Sequence, residues 1–92
     1  MKNTEPADGA YSLSDFYLAA YLICSGMELL RTDRAKPNRV VFVLADSQQR
    51  PGLIQDFYSR KARIDPLAYK DTIANLKSLI HGFKAGGVAY DA

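Results

Sequence analysis

The positive charges of this 92-residue chain are concentrated in its middle third. Residues 31 to 63 contain eight lysines or arginines and three aspartates, a net charge of +5, whereas the rest contains four cations and seven carboxylates, a net charge of −3. Arginine binds phosphate oxygens in a bidentate manner, so clustered arginines are typical of proteins that hold a nucleic-acid backbone. The candidate binding residues are Arg31, Arg34, Lys36, Arg39, Arg60, Lys61 and Arg63.

Two other interpretations of these cations stay open. Hairpin tips and helix ends are exposed, so the charges can be solvated side chains that bind nothing. An acidic protein surface would attract the same residues. The total formal charge of +2 is too small to name a partner, and no helix-turn-helix or other known nucleic-acid motif is evident. DNA, RNA and an acidic protein surface are therefore all candidate partners.

The chain shows few residues arranged for catalysis. Its only histidine, His81, falls near the end of a predicted helix, where a cation interacts favourably with the helix dipole, and no nucleophile motif accompanies it. Asp46 follows a predicted strand, where a small metal-dependent nuclease would place an acid, but its position before a predicted helix favours a capping role. We therefore expect a protein that is not an enzyme, with such a nuclease as a remote alternative.

Cysteine and glycine usage indicate no cofactor. One cysteine and one histidine exclude a disulfide framework and a Cys/His zinc site within one chain. No glycine-rich phosphate-binding motif occurs. Because neither a signal peptide nor a membrane-spanning run is evident, we expect a cytoplasmic location and no membrane contact. Cys24 lies in an apolar run and is predicted to be a buried small hydrophobic residue.

A small α+β fold must position these residues. The first helix is predicted from Asp15 to Ser25, with Gly26 as its stop, and it is apolar nearly all round. Such a helix is covered on more than one side, so it is either the central helix or in part a contact with another subunit.

A β-hairpin is predicted to follow. The β-branched and aromatic run Val40–Val43 indicates a strand buried on both faces, and Lys36–Asn38 indicates the turn before it. The more polar first strand is predicted to be an edge. One hairpin leaves the buried strand short of neighbours, so either a third strand from Val88–Tyr90 or pairing in a homodimer would complete the sheet.

Two more helices are predicted at the carboxyl end. One begins between Ser47 and Pro51 and continues to about Lys61, and the next begins with Asp65 as N-cap and Pro66 at the first position. The predicted order is αββαα, with the hairpin packed against the first and third helices. The predicted organisation is a flexible lead-in over residues 1–11, a single domain over 12–83 and a tail over 84–92.

Three segments, Ser14–Leu22, Arg39–Val43 and Leu76–His81, resemble a family of small prokaryotic proteins classed as a domain of unknown function. The resemblance implies a single small domain and carries no activity or site residues. Together with the charge pattern, it leads us to expect a non-enzymatic binding or adaptor protein that contacts a nucleic-acid backbone. The alternatives are a protein–protein interaction module and a homodimeric structural protein.

Overall fold

The computed structural model of the protein describes residues 9–36 and 38–84. Three helices pack on an antiparallel sheet of three strands, so the predicted α+β class is confirmed. The elements follow in the order β1 (Ala10–Leu13), α1 (Phe16–Cys24), β2 (Leu29–Lys36), β3 (Arg39–Ala45), α2 (Arg50–Tyr58) and α3 (Pro66–Lys84).

The observed order is βαββαα, whereas the predicted order is αββαα, so the prediction missed strand β1. β1 pairs antiparallel with β3, from Ala10 opposite Ala45 to Leu13 opposite Phe42. Ala10 and Tyr11 thus belong to the sheet rather than to a lead-in. The sequence of β1, AYSL, does not alternate apolar and polar residues, which is the pattern by which a short strand is recognised. Strand β1 thus supplies the second neighbour that β3 is predicted to need. The alternative third strand predicted at 88–90 lies outside the described residues.

The sheet order β1-β3-β2 buries the central strand. Phe42, Val43 and Leu44 are at most 2% exposed, which confirms the prediction of a strand buried on both faces. Phe42 and Leu44 belong to the core formed with the helices. Val43 points to the other face, between its cross-strand partners Ser12 and Arg31. The described helices therefore cover one face of the sheet.

Helix α1 is the central helix of the described fold, which is the first of the two predicted placements. All five residues from Leu18 to Leu22 are at most 5% exposed. Tyr21 lies 5.3 Å from the ring of Phe57 in α2, and Leu76 of α3 belongs to the same core. Asp15 is the N-cap of the helix, because its Oδ1 accepts the Leu18 N–H at 3.1 Å.

Helices α2 and α3 begin where the sequence indicates. Asp65 accepts the Ala68 N–H at 2.8 Å, as an N-cap does. Helix α2 ends at Tyr58, earlier than predicted, because Arg60 adopts a left-handed φ of 64°. The Lys61 N–H then donates to the Asp56 carbonyl at 2.8 Å, the bond that closes a Schellman motif.

Replacing Arg60 with glycine is expected to stabilise the protein by about 0.5–1 kcal/mol. A side chain in the left-handed region costs roughly 1–2 kcal/mol, and the greater chain entropy of glycine in the unfolded state offsets part of this. Thermal unfolding followed by circular dichroism should show a midpoint several degrees higher. The neighbouring change Ser59→Gly is the control and should lower the midpoint, because Ser59 has φ −87°. A lower midpoint for Arg60→Gly would contradict the prediction.

Candidate nucleic-acid interface

Three of the seven candidate cations share one face of the sheet. Arg31 lies opposite Val43, and Lys36 lies opposite Arg39. Directly paired residues point to the same side of a sheet, so all three cations lie on the side opposite the helices. We call this side the outer face; its described residues include Ser12, Arg31, Asp33, Lys36, Arg39, Val41 and Val43.

The outer-face arginines are held by weak, exposed contacts. The Arg31 Nε lies 3.2 Å from each carboxylate oxygen of Asp33, and the two side chains are 63% and 49% exposed. The Arg39 Nε donates to the Ser14 Oγ at 3.1 Å. An exposed pair such as Arg31–Asp33 contributes about 0–1 kcal/mol, so a phosphate can displace the carboxylate at little cost.

Arg34 lies apart from the other three hairpin cations. It is paired with Val40, which packs against the core, so its side chain points to the helix side of the sheet. It is also half-buried, whereas Arg31, Lys36 and Arg39 are exposed. Strand alternation thus separates Arg34 from residues that are its close neighbours in sequence.

The other three candidate cations lie in the loop between α2 and α3. Arg60, Lys61 and Arg63 are all exposed. Lys61 and Arg63 line a cleft of about 530 Å³ together with Tyr21 of α1. Because α1 packs on the helix side of the sheet, these cations do not extend the outer face. The structure therefore divides the predicted set into an outer-face group and a loop group on different sides of the molecule, and Arg34 belongs to neither group.

The cleft itself contains charges of both signs. Asp56 and Asp65 line it beside Lys61 and Arg63, so it does not favour an anion by net charge. Cys24 also lines the cleft and is half-buried. The expectation that Cys24 is buried is therefore wrong, because the end of α1 borders this cleft.

Asp46 connects the end of β3 to the first turn of α2. Its carboxylate accepts two hydrogen bonds from Arg50, at 2.8 and 3.1 Å, and one from the Ser47 N–H. The Arg50 guanidinium also lies 4.1 Å from the ring centroid of Tyr11. The bond from Arg50 lowers the pKa of Asp46, although partial burial opposes this shift.

These contacts differ from the capping role predicted for Asp46. The N-cap position of α2 is Gln49, which makes no side-chain cap bond, and it is Ser47 Oγ that accepts the Gln49 N–H. Among the described residues, no three His, Cys, Asp or Glu side chains are grouped as a metal site requires. His81 is exposed near the end of α3, in keeping with its predicted position.

Two exposed tyrosines, Tyr17 and Tyr58, and the partly buried Tyr69 surround the start of α1. The Tyr58 hydroxyl donates to Asp15 Oδ2 at 3.3 Å, and the Tyr69 hydroxyl donates to the Tyr17 carbonyl at 3.2 Å. Desolvation raises the pKa of both hydroxyls, and the Asp15 charge adds to this at Tyr58. Tyr17 and Tyr58 are 54% and 64% exposed.

Sequence reasoning missed this tyrosine cluster (Tyr17, Tyr58 and Tyr69). All three residues fall on apolar helical stripes, a pattern that predicts burial. Tyr69 is partly buried as this pattern predicts, but the exposure of Tyr17 and Tyr58 depends on how far each neighbouring helix extends over them, which the spacing does not show.

Comparison with known proteins identifies the family but no activity. A family model described as a domain of unknown function, DUF5659, matches residues 8–82. No curated protein and no solved structure matches the chain. None of the helices in the described part of the chain is long and apolar enough to cross a membrane. The match begins before β1 and extends into the last turn of α3, so it spans the whole described fold, and the chain belongs to the DUF5659 family.

Proposed function

We propose that the protein binds the phosphate backbone of nucleic acids through the outer face of its sheet, as a non-enzymatic binding protein. The observation that carries the proposal is the strand register, which aligns Arg31, Lys36 and Arg39 on a face that the described helices leave uncovered. The cytoplasmic location and the lack of enzymatic activity expected from the sequence stay predictions.

The spacing of these cations suits a phosphate backbone. Arg31 and Lys36 lie five positions apart along β2, a distance of roughly 16 Å at 3.3 Å per residue. That distance corresponds to roughly five base steps of 3.4 Å. Lys36 and Arg39 are cross-strand partners beside the turn, so they extend the charge across the sheet as well as along it. Asp33 offsets one of the three charges, and its exposed pair with Arg31 is weak enough to rearrange.

Fluorescence anisotropy with labelled single- and double-stranded DNA and RNA tests this proposal. Three phosphate contacts on duplex DNA should give a salt slope near −2.7, so the affinity should fall about 40-fold between about 50 and 200 mM salt. The triple change Arg31→Ala, Lys36→Ala and Arg39→Ala should remove most of this salt dependence together with most of the binding.

A second triple variant is the matched control. Arg60→Ala, Lys61→Ala and Arg63→Ala remove the same total charge from the loop between α2 and α3. This control should leave the salt slope of the wild-type protein unchanged. Equal losses in the two triple variants would show attraction by net charge alone, and an absence of binding at low salt would show no nucleic-acid function. Either result would overturn the proposal.

A protein-interaction module is the second candidate, and the tyrosine cluster favours it. Tyrosine is enriched in the cores of protein interfaces, where its ring adds contact area at a low entropy cost. Tyr17 and Tyr58 present more than half of their surface to solvent. This function predicts no nucleic-acid binding and a protein partner whose affinity depends on Tyr17 and Tyr58 rather than on the outer-face cations.

A further inference from the structure

Strand β2 forms one edge of the sheet, and its outer-face side chains include both Arg31 and Asp33. It spans Leu29–Lys36, twice the length of the other edge strand β1. The sheet order places β3 on one side of it, and no described strand lies on the other. A long exposed edge presents backbone N–H and C=O groups that can pair with another strand.

We propose that the protein forms a symmetric homodimer in which β2 pairs antiparallel with β2 of a second copy. The two-fold axis passes beside Thr32, so that Thr32 lies opposite the second copy's Thr32. In this register Arg31 lies opposite the second copy's Asp33. Opposite charges across a strand pair stabilise it, as does a threonine pair.

Other registers for pairing β2 with β2 of the second copy are unfavourable. A shift of one residue would place outer-face side chains opposite helix-side ones, and directly paired residues must share one face of the sheet, so such a shift does not continue the sheet. A shift of two residues places either Arg31 opposite Arg31 or Asp33 opposite Asp33. Like charges directly opposite one another destabilise a strand pair. Among these registers, the one centred on Thr32 alone matches Arg31 with Asp33.

The backbone of β2 is regular at the centre of this register. Its pairing with β3 shifts between Leu29 and Arg31 and again between Arg34 and Lys36. The residues between the two shifts, 31 to 34, form an uninterrupted ladder with β3. Bulges bend an edge and limit pairing along it. The two bulges of β2 would therefore confine pairing between the two copies to the stretch around Thr32, and they would disfavour the addition of further copies.

Apolar surface flanks the same edge on the helix side. A groove of about 280 Å³ between β2 and α3 is lined by Leu29, Leu76 and Leu79, among others. Leu30 and Leu79 are 47% and 45% exposed, which is high for leucine. A sheet continued through β2 brings the helix layers of two copies side by side. The second copy would cover this groove, and apolar burial would add to the strand pairing.

Sedimentation equilibrium of the protein without nucleic acid tests the dimer. The wild-type protein should be dimeric, and Arg31→Asp or Asp33→Arg should weaken the dimer about tenfold, because each change replaces two cross-strand ion pairs by two like-charge contacts. The double variant, which combines both changes, restores opposite charges in the same register. Its dimer should regain most of the wild-type affinity.

The change Lys61→Asp is the control, since it reverses one charge in the loop between α2 and α3 and should leave the dimer unchanged. A wild-type monomer at the highest soluble concentration would overturn the dimer. Failure of the double variant to recover affinity would overturn this register. Neither result bears on nucleic-acid binding, because the dimer is measured without it and does not rest on the outer-face cations acting on phosphate.

Discussion

Replacing Phe42 with alanine is expected to lower the free energy of unfolding by about 3–5 kcal/mol. Phe42 is 1% exposed and stands at the centre of β3, on the face that packs against the helices. Its ring lies 6.1 Å from that of Phe16 in an edge-to-face arrangement. The change removes apolar burial, leaves a cavity and breaks this ring contact, so three losses combine at one position.

A domain of this size has a total stability of about 5–15 kcal/mol, so this loss is a large part of it. The melting temperature should fall by roughly 12–40 °C, at about 4–8 °C for each kcal/mol. Tyr17→Ala is the control, because it removes an aromatic ring of similar size that is 54% exposed. It should cost less than about 1 kcal/mol. Similar losses in the two variants would contradict the assignment of Phe42 to the centre of the core.

Breaking the Asp46–Arg50 pair is expected to cost about 2 kcal/mol at neutral pH. The side chains of Arg50 and Asp46 are only 26% and 24% exposed, and their two hydrogen bonds measure 2.8 and 3.1 Å. Hydrogen bonds to charged groups contribute about 1.5–3 kcal/mol, and the loss of one partner leaves the other partly desolvated. The pair connects β3 to α2, so its loss should also loosen the start of α2.

The same pair should make stability depend on pH in the acidic range. Arg50 lowers the pKa of Asp46 below its ordinary value of 3.8 in the folded protein. The unfolded chain therefore binds a proton at higher pH than the folded protein does. The contribution of the pair is fully present above about 3.8 and is lost as the pH falls through the lower folded pKa.

Urea unfolding of Asp46→Asn, Arg50→Gln and the double variant measures this coupling as a double-mutant cycle. The coupling should be about 1–2 kcal/mol at pH near 7 and should shrink at pH below the folded pKa of Asp46. The same cycle on Arg31 and Asp33 is the matched control, and because that pair is exposed it should give about 0–1 kcal/mol. Equal coupling in the two pairs would contradict the prediction.

Charge placement connects the proposed function with the fold. The three outer-face cations lie on the side of the sheet that the described helices leave uncovered, while the tyrosine cluster surrounds the start of α1. Arg39 links the two regions, because its Nε donates to Ser14 immediately before the Asp15 cap. A nucleic acid on the outer face and a protein partner on the tyrosines would thus occupy neighbouring surfaces of the same domain.

Local signals in the sequence determine where most elements begin. Asp65 acts as the predicted cap of α3, because its carboxylate accepts the Ala68 N–H three residues later in the chain. The β-branched run in β3 predicts burial because such residues pack well on a pleated sheet. Each of these signals is contained within a few neighbouring residues, so no tertiary information is needed to find it.

Tertiary structure alone decided which side chains share a surface. Strand pairing separates Arg31 from Arg34 and brings Lys36 opposite Arg39. Helix packing opens a cleft beside Cys24 and leaves Tyr58 exposed. Strand β1 becomes a strand because β3 offers it hydrogen-bond partners some thirty residues later in the chain. These outcomes depend on contacts between distant segments, and a one-dimensional pattern of residue types does not specify them.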